Sequence, residues 1–387
     1  MALTPSLSLT TTGTSILQAL RGRYKVFLKS AGGLLFFRYK YGFIVPRGLV
    51  PTSGDGATSI HSHGLPNSSS DNSGDLLKDA QNEVVSIANA IAEFEPVFLY
   101  SNSETIGEAK SGANENVSIG HAEETSHLWM RDFGPIFVKS RNGKALRGAD
   151  FNFNYWGNKR AQTGDERMAK IAAKYVSGSP ALSAVIIAEG GGMEVDGEGT
   201  FMATESSLIS NNRDPGMSKV QIENELSRLL GVRKFLWLAG EVGRETTDCH
   251  IDALVRFIRP GVILLSRPLA EGPGKYSVAY LDAKTRLSNA TDAQGRLFTL
   301  YDCIEPDLNK LKRVANGENC VASYANFLTV NGGVIIPRFG DDERDAEALD
   351  LFKRLYPARK AVQACVNALP CIGGGIHCAT QQVPALR

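Results

Sequence analysis

One local pattern recurs along most of this chain: an amphipathic helical stripe, a breaker, then a short apolar run of strand length. Asp75 can cap a helix in which Leu76, Leu77, Ala80, Val84, Ile87, Ala88 and Ile91 share one face at 3.6-residue spacing. That helix ends near Glu93, and Pro96 blocks continuation before a strand at 97–100. Ser218 and Gln221 then form a capping-box pattern, with Val220, Leu226, Leu229 and Leu230 as the buried face and Gly231 suited to the C-terminal cap. A strand is expected at 235–238. A third unit opens at Asp342, carries Ala346, Leu349, Phe352 and Leu355 on one face, stops at Pro357 and enters a strand at 361–366. Between these helices lie β-type runs at 136–138, 185–188, 254–258, 262–265 and 334–337. Residues 193–196 and 200–204 flank Gly197-Glu198-Gly199, a hairpin signal. The expected class is mixed α/β, built from similar units with hairpins between them, and neither a helical bundle nor a sandwich.

With 387 residues the chain has room for two or three domains, or one large one. A hydrophobic content of 43% is enough to bury a sizeable core and excludes disorder as the main state. The formal charge of +1 argues against nucleic-acid binding by bulk positive charge. The longest apolar runs, such as 34–37 and 262–265, fall far short of the roughly 18 residues a membrane span needs. Six cysteines without framework spacing read as free thiols in a reducing compartment, so the cytoplasm is the expected location.

The first 74 residues differ from the rest. No Asp or Glu precedes Asp55, while Arg21, Arg23, Lys25, Lys29, Arg38, Lys40 and Arg47 are all basic and the opening is rich in Ser and Thr. Such a start is compatible with an organelle transit segment or with an extended N-terminus of a cytosolic protein. Residues 52–74 read as an exposed Ser/Gly/Asn-rich loop. His61 and His63 within it lack further metal-ligating neighbours and read as solvated. The expected division is therefore an atypical basic segment, 1–74, and a catalytic domain, 75–387.

Three polar clusters interrupt the apolar pattern beside glycine. In Trp129-Met130-Arg131-Asp132-Phe133-Gly134-Pro135 the Gly-Pro pair forces a turn that holds Asp132 near a strand end; taken alone, a turn-capping Asp is the plainer account. In Thr247-Asp248-Cys249-His250-Ile251-Asp252, His250 and Asp252 share a face if the segment is extended. They fit either a general base with its orienting carboxylate or a buried structural pair. Three glycines precede Ile376-His377-Cys378, letting a backbone approach a ligand and leaving Cys378 accessible. On an extended chain His377 points away from Cys378, so a proton-moving partner must be distant, and His250 is the candidate. Cys303, Cys320, Cys365 and Cys371 read as core residues. Glu189 heads a further glycine run, 190–192, where a carboxylate can orient a His. One thiol, one imidazole and three carboxylates suit a cationic substrate better than an anionic or acyl one.

In order, the blocks WMRDFGP (129–135), AEGGGMEVDGEGT (188–200), TDCHID (247–252), SYANF with TVNGGVIIP and FGD (323–341) and GGGIHCATQQVP (373–384) resemble the signature blocks of the agmatine deiminase family. That family belongs to the guanidine-modifying superfamily and is related to bacterial-type peptidylarginine deiminases. The resemblance runs from about residue 75 to 387. It implies a five-bladed α/β-propeller (pentein) of pseudo-symmetric ββαβ modules. It implies deimination of a small cationic guanidine, agmatine, with Cys378 attacking the guanidinium carbon and Asp132 and Asp252 gripping its nitrogens. His250 would protonate the departing ammonia and then activate water. Glu189 would hold His250 and the substrate, and Trp129 would wall the alkyl chain. No metal or organic cofactor is implied, nor a nucleic-acid or membrane partner; a homodimer is compatible with it.

The chain departs from the family pattern in places. The region 42–74 lacks the usual first-module block with a His and a Trp/Pro-rich strand, so an altered first module is expected. Cys249 stands where Gly is typical, Ala253 where Asn is frequent, and Phe133 where Thr is usual. Three other readings compete: a peptidylarginine deiminase-type activity on arginine residues, with which Phe133 is also compatible, a propeller that binds a ligand without turnover, and a Cys–His acyl hydrolase. The acyl hydrolase lacks an evident oxyanion hole and leaves the acidic residues unexplained.

Overall fold

The repeating helix–strand pattern becomes five small sheets. The computed structural model describes residues 42–44, 72–122, 126–140, 142–269, 276–312 and 320–386, all within the compact unit Tyr39–Arg387. The basic start, the 52–71 part of the loop, and His61 and His63 lie outside the described residues, as does the transit-segment reading that rests on them.

Four sheets share one construction, an antiparallel hairpin followed by a helical crossover to a parallel third strand. The first such unit is β4 (Ile136–Lys139), β5 (Leu146–Asp150) and β6 (Leu182–Ser183), bridged by the helix Met168–Ser177. The next is β7 (Glu194–Val195), β8 (Thr200–Thr204) and β9 (Lys234–Leu238), bridged by the helix Lys219–Leu230. Then follow β10 (Val255–Arg259), β11 (Val262–Arg267) and β12 (Thr299–Ile304), around the helix Ser277–Ser288. The last is β13 (Leu328–Val330), β14 (Gly333–Arg338) and β15 (Lys360–Cys365), around the helix Asp342–Leu355. A parallel crossover of this kind needs a connection of helix length, which the amphipathic stripes supply.

The remaining sheet is the seam. β1 (Gly42–Ile44) pairs parallel with β2 (Val97–Ser101) across the helix Asn72–Ala92, and antiparallel with β16 (Thr380–Gln382). A fourth strand, β3 (Val117–His121), extends it beyond β2. The first module is thus completed by residues from the far end of the chain and carries one strand more than the others.

The sequence pattern sets the main core. Ala80, Val84, Ile87, Ala88 and Ile91 on the first helix are buried in one cluster with Ile335 and Ile336 of β14 and with Phe352. The capping box at Ser218 forms, with its hydroxyl accepting from Gln221 N at 3.4 Å and the Gln221 side chain accepting from Ser218 N at 2.8 Å. Gly231 closes that helix at φ +71°, a conformation in which a Cβ would be strained.

Some expectations need correction. Residues 185–188 are not a strand: the pairing strand is Leu182–Ser183, and the chain then runs irregularly, held by Asn152 Nδ2 donating to the carbonyls of Ala184 and Ile186. Val220 and Ala346 face solvent, because the buried stripes of their helices run through Ile222, Leu226 and Leu229, and through Ala348, Leu351, Phe352 and Leu355. Cys365 is exposed at a strand end and Cys371 half-buried, whereas Cys303 and Cys320 are core residues as expected. Among the described residues, no helix is long and apolar enough to cross a membrane.

Phe352 is fully buried and meets Phe327 edge-on, with ring centroids 4.8 Å apart. Truncation there leaves a cavity between helix and sheet. Phe352→Ala is expected to lower unfolding stability by about 3–5 kcal/mol, read from the denaturant midpoint at an unchanged m-value.

Candidate active site

The polar clusters occupy connections between modules and meet at one place. Asp132 lies on a single buried turn of helix, Met130–Phe133, just before β4. Glu189 precedes the one-turn 3₁₀ segment Gly190–Gly192. His250 and Asp252 are not on a strand: His250 caps the 3₁₀ turn Ile251–Ala253. Their proximity therefore comes from turn geometry and not from strand alternation. Cys378 lies in the turn leading into β16, within a stretch 375–380 whose backbone bonds run Ala379 N to Gly375 O and Thr380 N to His377 O. His377 is accordingly not on an extended chain. Its ring does not point the other way from the sulfur: Nδ1 bonds to Asp252 Oδ2 at 2.8 Å, the same oxygen that Cys378 Sγ approaches at 3.5 Å.

Gly191 shows how tightly the groups converge. A Cβ placed on it would come within 2.7 Å of both Asp132 Oδ1 and His250 Nδ1, and 3.2 Å of Asp252 Oδ2. No side chain fits there, and the Gly191 amide donates to Asp132 Oδ1 at 3.0 Å. Trp156 Nε1 fixes the other oxygen of Asp132 at 2.9 Å. Gly374 is constrained in the same way, since a Cβ would meet the Trp129 ring at 2.4 Å. Trp129 thus seats on the glycine run ahead of Cys378.

His250 lies between two carboxylates, with Nε2 3.4 Å from Glu189 Oε2 and Nδ1 3.6 Å from Asp132 Oδ1. Glu189 has no exposed surface and is held by Arg213, whose Nε is 2.9 Å from both carboxylate oxygens. Arg213 is anchored in turn by Asp248 Oδ2 at 3.2 Å and the Thr247 carbonyl at 3.2 Å, and Lys159 reaches Asp248 from the surface. Glu245 ties this loop together, accepting from Thr247 N and Cys249 N. Asp248 and Cys249 both have positive φ, +61° and +70°, which accounts physically for a family preference for Gly at 249.

Burial by itself would discharge His250, but the charge of Asp132 and the bond to Glu189 outweigh it and raise the imidazole to about 9. These contacts add stability that is complete below about 6.5 and is lost as pH rises through about 9. Asp132 is raised to about 6 by burial. Burial also acts to raise Asp252, but the His377 bond, with the charges of His250 and Arg256, brings it down to about 2. Its contribution is present above the usual carboxylate range and is lost as pH falls through about 2. His377 is driven well below its ordinary value by burial and by Arg131 and Arg256, and stays neutral. Burial, with the charges of Asp252 and Asp132, pushes the Cys378 thiol well up.

His250, Asp252 and Cys378 line one pocket with Glu245, Thr247, Cys249, Tyr276, Glu305, Val321 and Gly373. Asp132 and Glu189 flank the two ring nitrogens of His250 and Trp129 seats against Gly374; none of the three lines this pocket. Among the described residues, no group of His, Cys, Asp and Glu has the arrangement of a metal site. Sequence reasoning missed Arg213, Asn326 and His377 as parts of the site. Arg213 lies in a stretch without periodicity. The other two sit inside quoted blocks, where only contact geometry shows their purpose. The arrangement offers a buried thiol, an imidazole held cationic, and anions able to receive a planar cation.

The His250 charge is testable directly. In the NMR pH titration of its ring protons, Asp132→Asn is expected to move the midpoint down from about 9 towards 6.5. An unchanged midpoint would mean that Asp132 does not hold the charge.

The chain is similar to known proteins over most of its length. The agmatine deiminase of Pseudomonas fluorescens is 34% identical over 340 residues, covering 80% of this chain and 88% of that protein. That of Pseudomonas syringae is 34% identical over 334 residues, covering 80% and 88%. The solved agmatine deiminase of Enterococcus faecalis superposes with a TM-score of 0.76 at 28% identity, over 90% of this chain and 94% of that one, which establishes the pentein fold. A family model described as Porphyromonas-type peptidyl-arginine deiminase matches residues 63–384. Because that match takes in all five sequence blocks and every residue of the buried cluster, the chain belongs to the Porphyromonas-type peptidyl-arginine deiminase family.

Proposed function

We propose that this protein is a hydrolase that deiminates agmatine to N-carbamoylputrescine and ammonia, as in a route towards putrescine, through a covalent amidino-cysteine intermediate. The carrying observation is the convergence of Asp132, His250 and Asp252 around Gly191, with the Cys378 sulfur 3.5 Å from Asp252 Oδ2.

A guanidinium entering between Asp132 and Asp252 pairs with both carboxylates through charge-assisted bonds. It also neutralises the two charges that, together with burial, keep Cys378 protonated, and its own positive charge favours the thiolate, so the thiol loses its proton to water as the substrate binds. The thiolate attacks the guanidinium carbon. As the C–N bond breaks, His250, already charged, gives its proton to the departing amine. The neutral imidazole, held by Glu189, then takes a proton from water, which adds to the amidino carbon. Collapse breaks the C–S bond, returns the thiolate and leaves a ureido product. Trp129, fixed on Gly374, would border the alkyl chain.

Agmatine is favoured over free arginine by the pocket wall. Glu245 and Glu305 border it, with no Lys or Arg among its described lining residues. Such a wall attracts the terminal ammonium of agmatine and repels the α-carboxylate of arginine. The relatives named agmatine deiminase support the same substrate. The family description also keeps arginine within a peptide as a second reading, because a peptide bond removes that carboxylate. The residues invoked all belong to one chain, and a homodimer remains compatible with the reading.

Ammonia release from agmatine, free arginine and an arginine-containing peptide separates these readings, and turnover of agmatine alone is expected. If the peptide reacts and agmatine does not, the substrate is wrong while the chemistry stands. Cys378→Ala should abolish turnover, and His250→Ala should reduce it by about 10²–10⁴-fold. Substantial activity in Cys378→Ala would overturn the mechanism.

A further inference from the structure

The thiol of Cys378 is hard to ionise where it sits, because it is buried and faces two aspartates, and the mechanism so far gives its sulfur no hydrogen-bond donor. The charged groups facing it are Asp252 and Asp132. His250 borders the same pocket, His377 is turned to Asp252, and Arg131 lies behind the backbone, its amide donating to the Cys378 carbonyl at 3.0 Å. One neutral side chain reaches the sulfur. Asn326, fully buried in the turn before β13, places Nδ2 3.2 Å from Cys378 Sγ.

The orientation of this amide is determined by its other end. Asn326 Oδ1 accepts from the backbone amides of His377, at 2.9 Å, and Cys378, at 3.3 Å. Two N–H donors can meet only an oxygen, so the NH₂ group must face the sulfur. The glycine run makes room for this clamp, since a Cβ on Gly375 would come within 2.6 Å of Asn326 Oδ1. Glycine at 375 and asparagine at 326 are thus two halves of one fitting.

We propose that Asn326 is a catalytic residue that donates a hydrogen bond from Nδ2 to the Cys378 thiolate, stabilising it against the two aspartates and fixing the line along which the sulfur approaches the guanidinium carbon. A hydrogen bond to an ionised acceptor is stronger than one to a neutral thiol, so the contact gains value as the proton leaves. The inference rests on the reading of Cys378 as nucleophile, and its test does not depend on turnover.

Asn326→Asp keeps the oxygen that holds both backbone amides and removes the donor. Asn326→Ala removes the donor without adding charge. Alkylation of Cys378 by iodoacetamide, followed on its peptide by mass spectrometry to separate it from exposed Cys365, gives the pH midpoint of ionisation in each folded protein. Both variants are expected to shift that midpoint upward. With agmatine, kcat should fall roughly 10- to 100-fold with KM changed much less. If both variants retain the native midpoint, whatever their thermal stability, Asn326 is only a loop anchor and the proposal fails. Should the midpoint shift while the native protein ignores agmatine, the substrate reading fails and the role of Asn326 stands.

Discussion

A charged imidazole enclosed by carboxylates, all of them buried, is the interaction around which this molecule is arranged. A buried charge of either sign is costly alone, so His250, Asp132 and Glu189 are each tolerable only because the others are present. The compensation extends outwards: Glu189 leans on Arg213, Arg213 on Asp248, and Asp248 on Lys159 at the surface. Removing one member would strand a neighbour, which makes the chain of charges rigid as well as stable. Rigidity of this kind suits recognition of a flat cation, whose nitrogens must find oxygens already in place.

The scaffold serves this cluster by bringing connections from different modules to one point. None of the groups needs a long element. Asp132 is on one helical turn, Glu189 and His250 flank 3₁₀ turns, and Cys378 is in a turn before a three-residue strand. The hairpins and crossover helices form the stable part, and the tight glycine-rich turns between them carry the chemistry.

Much of this arrangement was legible in the sequence, and what was not has identifiable causes. The helices at 72–92, 219–230 and 342–355 announce themselves because their buried stripes hold a 3.6-residue period over several turns. Residues 185–188 misled because an apolar run can settle as irregular chain, here with Ile186 and Ala188 buried and Val185 exposed, when a side-chain amide such as Asn152 satisfies backbone carbonyls. Asp132, Glu189 and Cys378 could be named because glycine beside a reactive side chain signals close approach, and Gly191 and Gly374 show such packing. His250 and Asp252 were named from a two-residue spacing that the structure realises on a turn and not on a strand. The supporting residues were hidden. Arg213, Asn326 and His377 act through partners 24, 52 and 125 positions away, and nothing local marks those separations. Cys249 was flagged as out of pattern, and its left-handed backbone supplies the reason.

The seam sheet, where β16 lies against β1, has a consequence for how the molecule comes into being. The sulfur-bearing turn is drawn to Asp132 by Arg131, which bonds the carbonyls of His377 and Cys378 and the side chain of Gln382. During synthesis the ribosome has therefore made each of the four crossover helices before Cys378 emerges. A nascent chain can bury much of its cores and pair its acids with His250 first. Cys378 joins them only when β16, which follows it, pairs with β1.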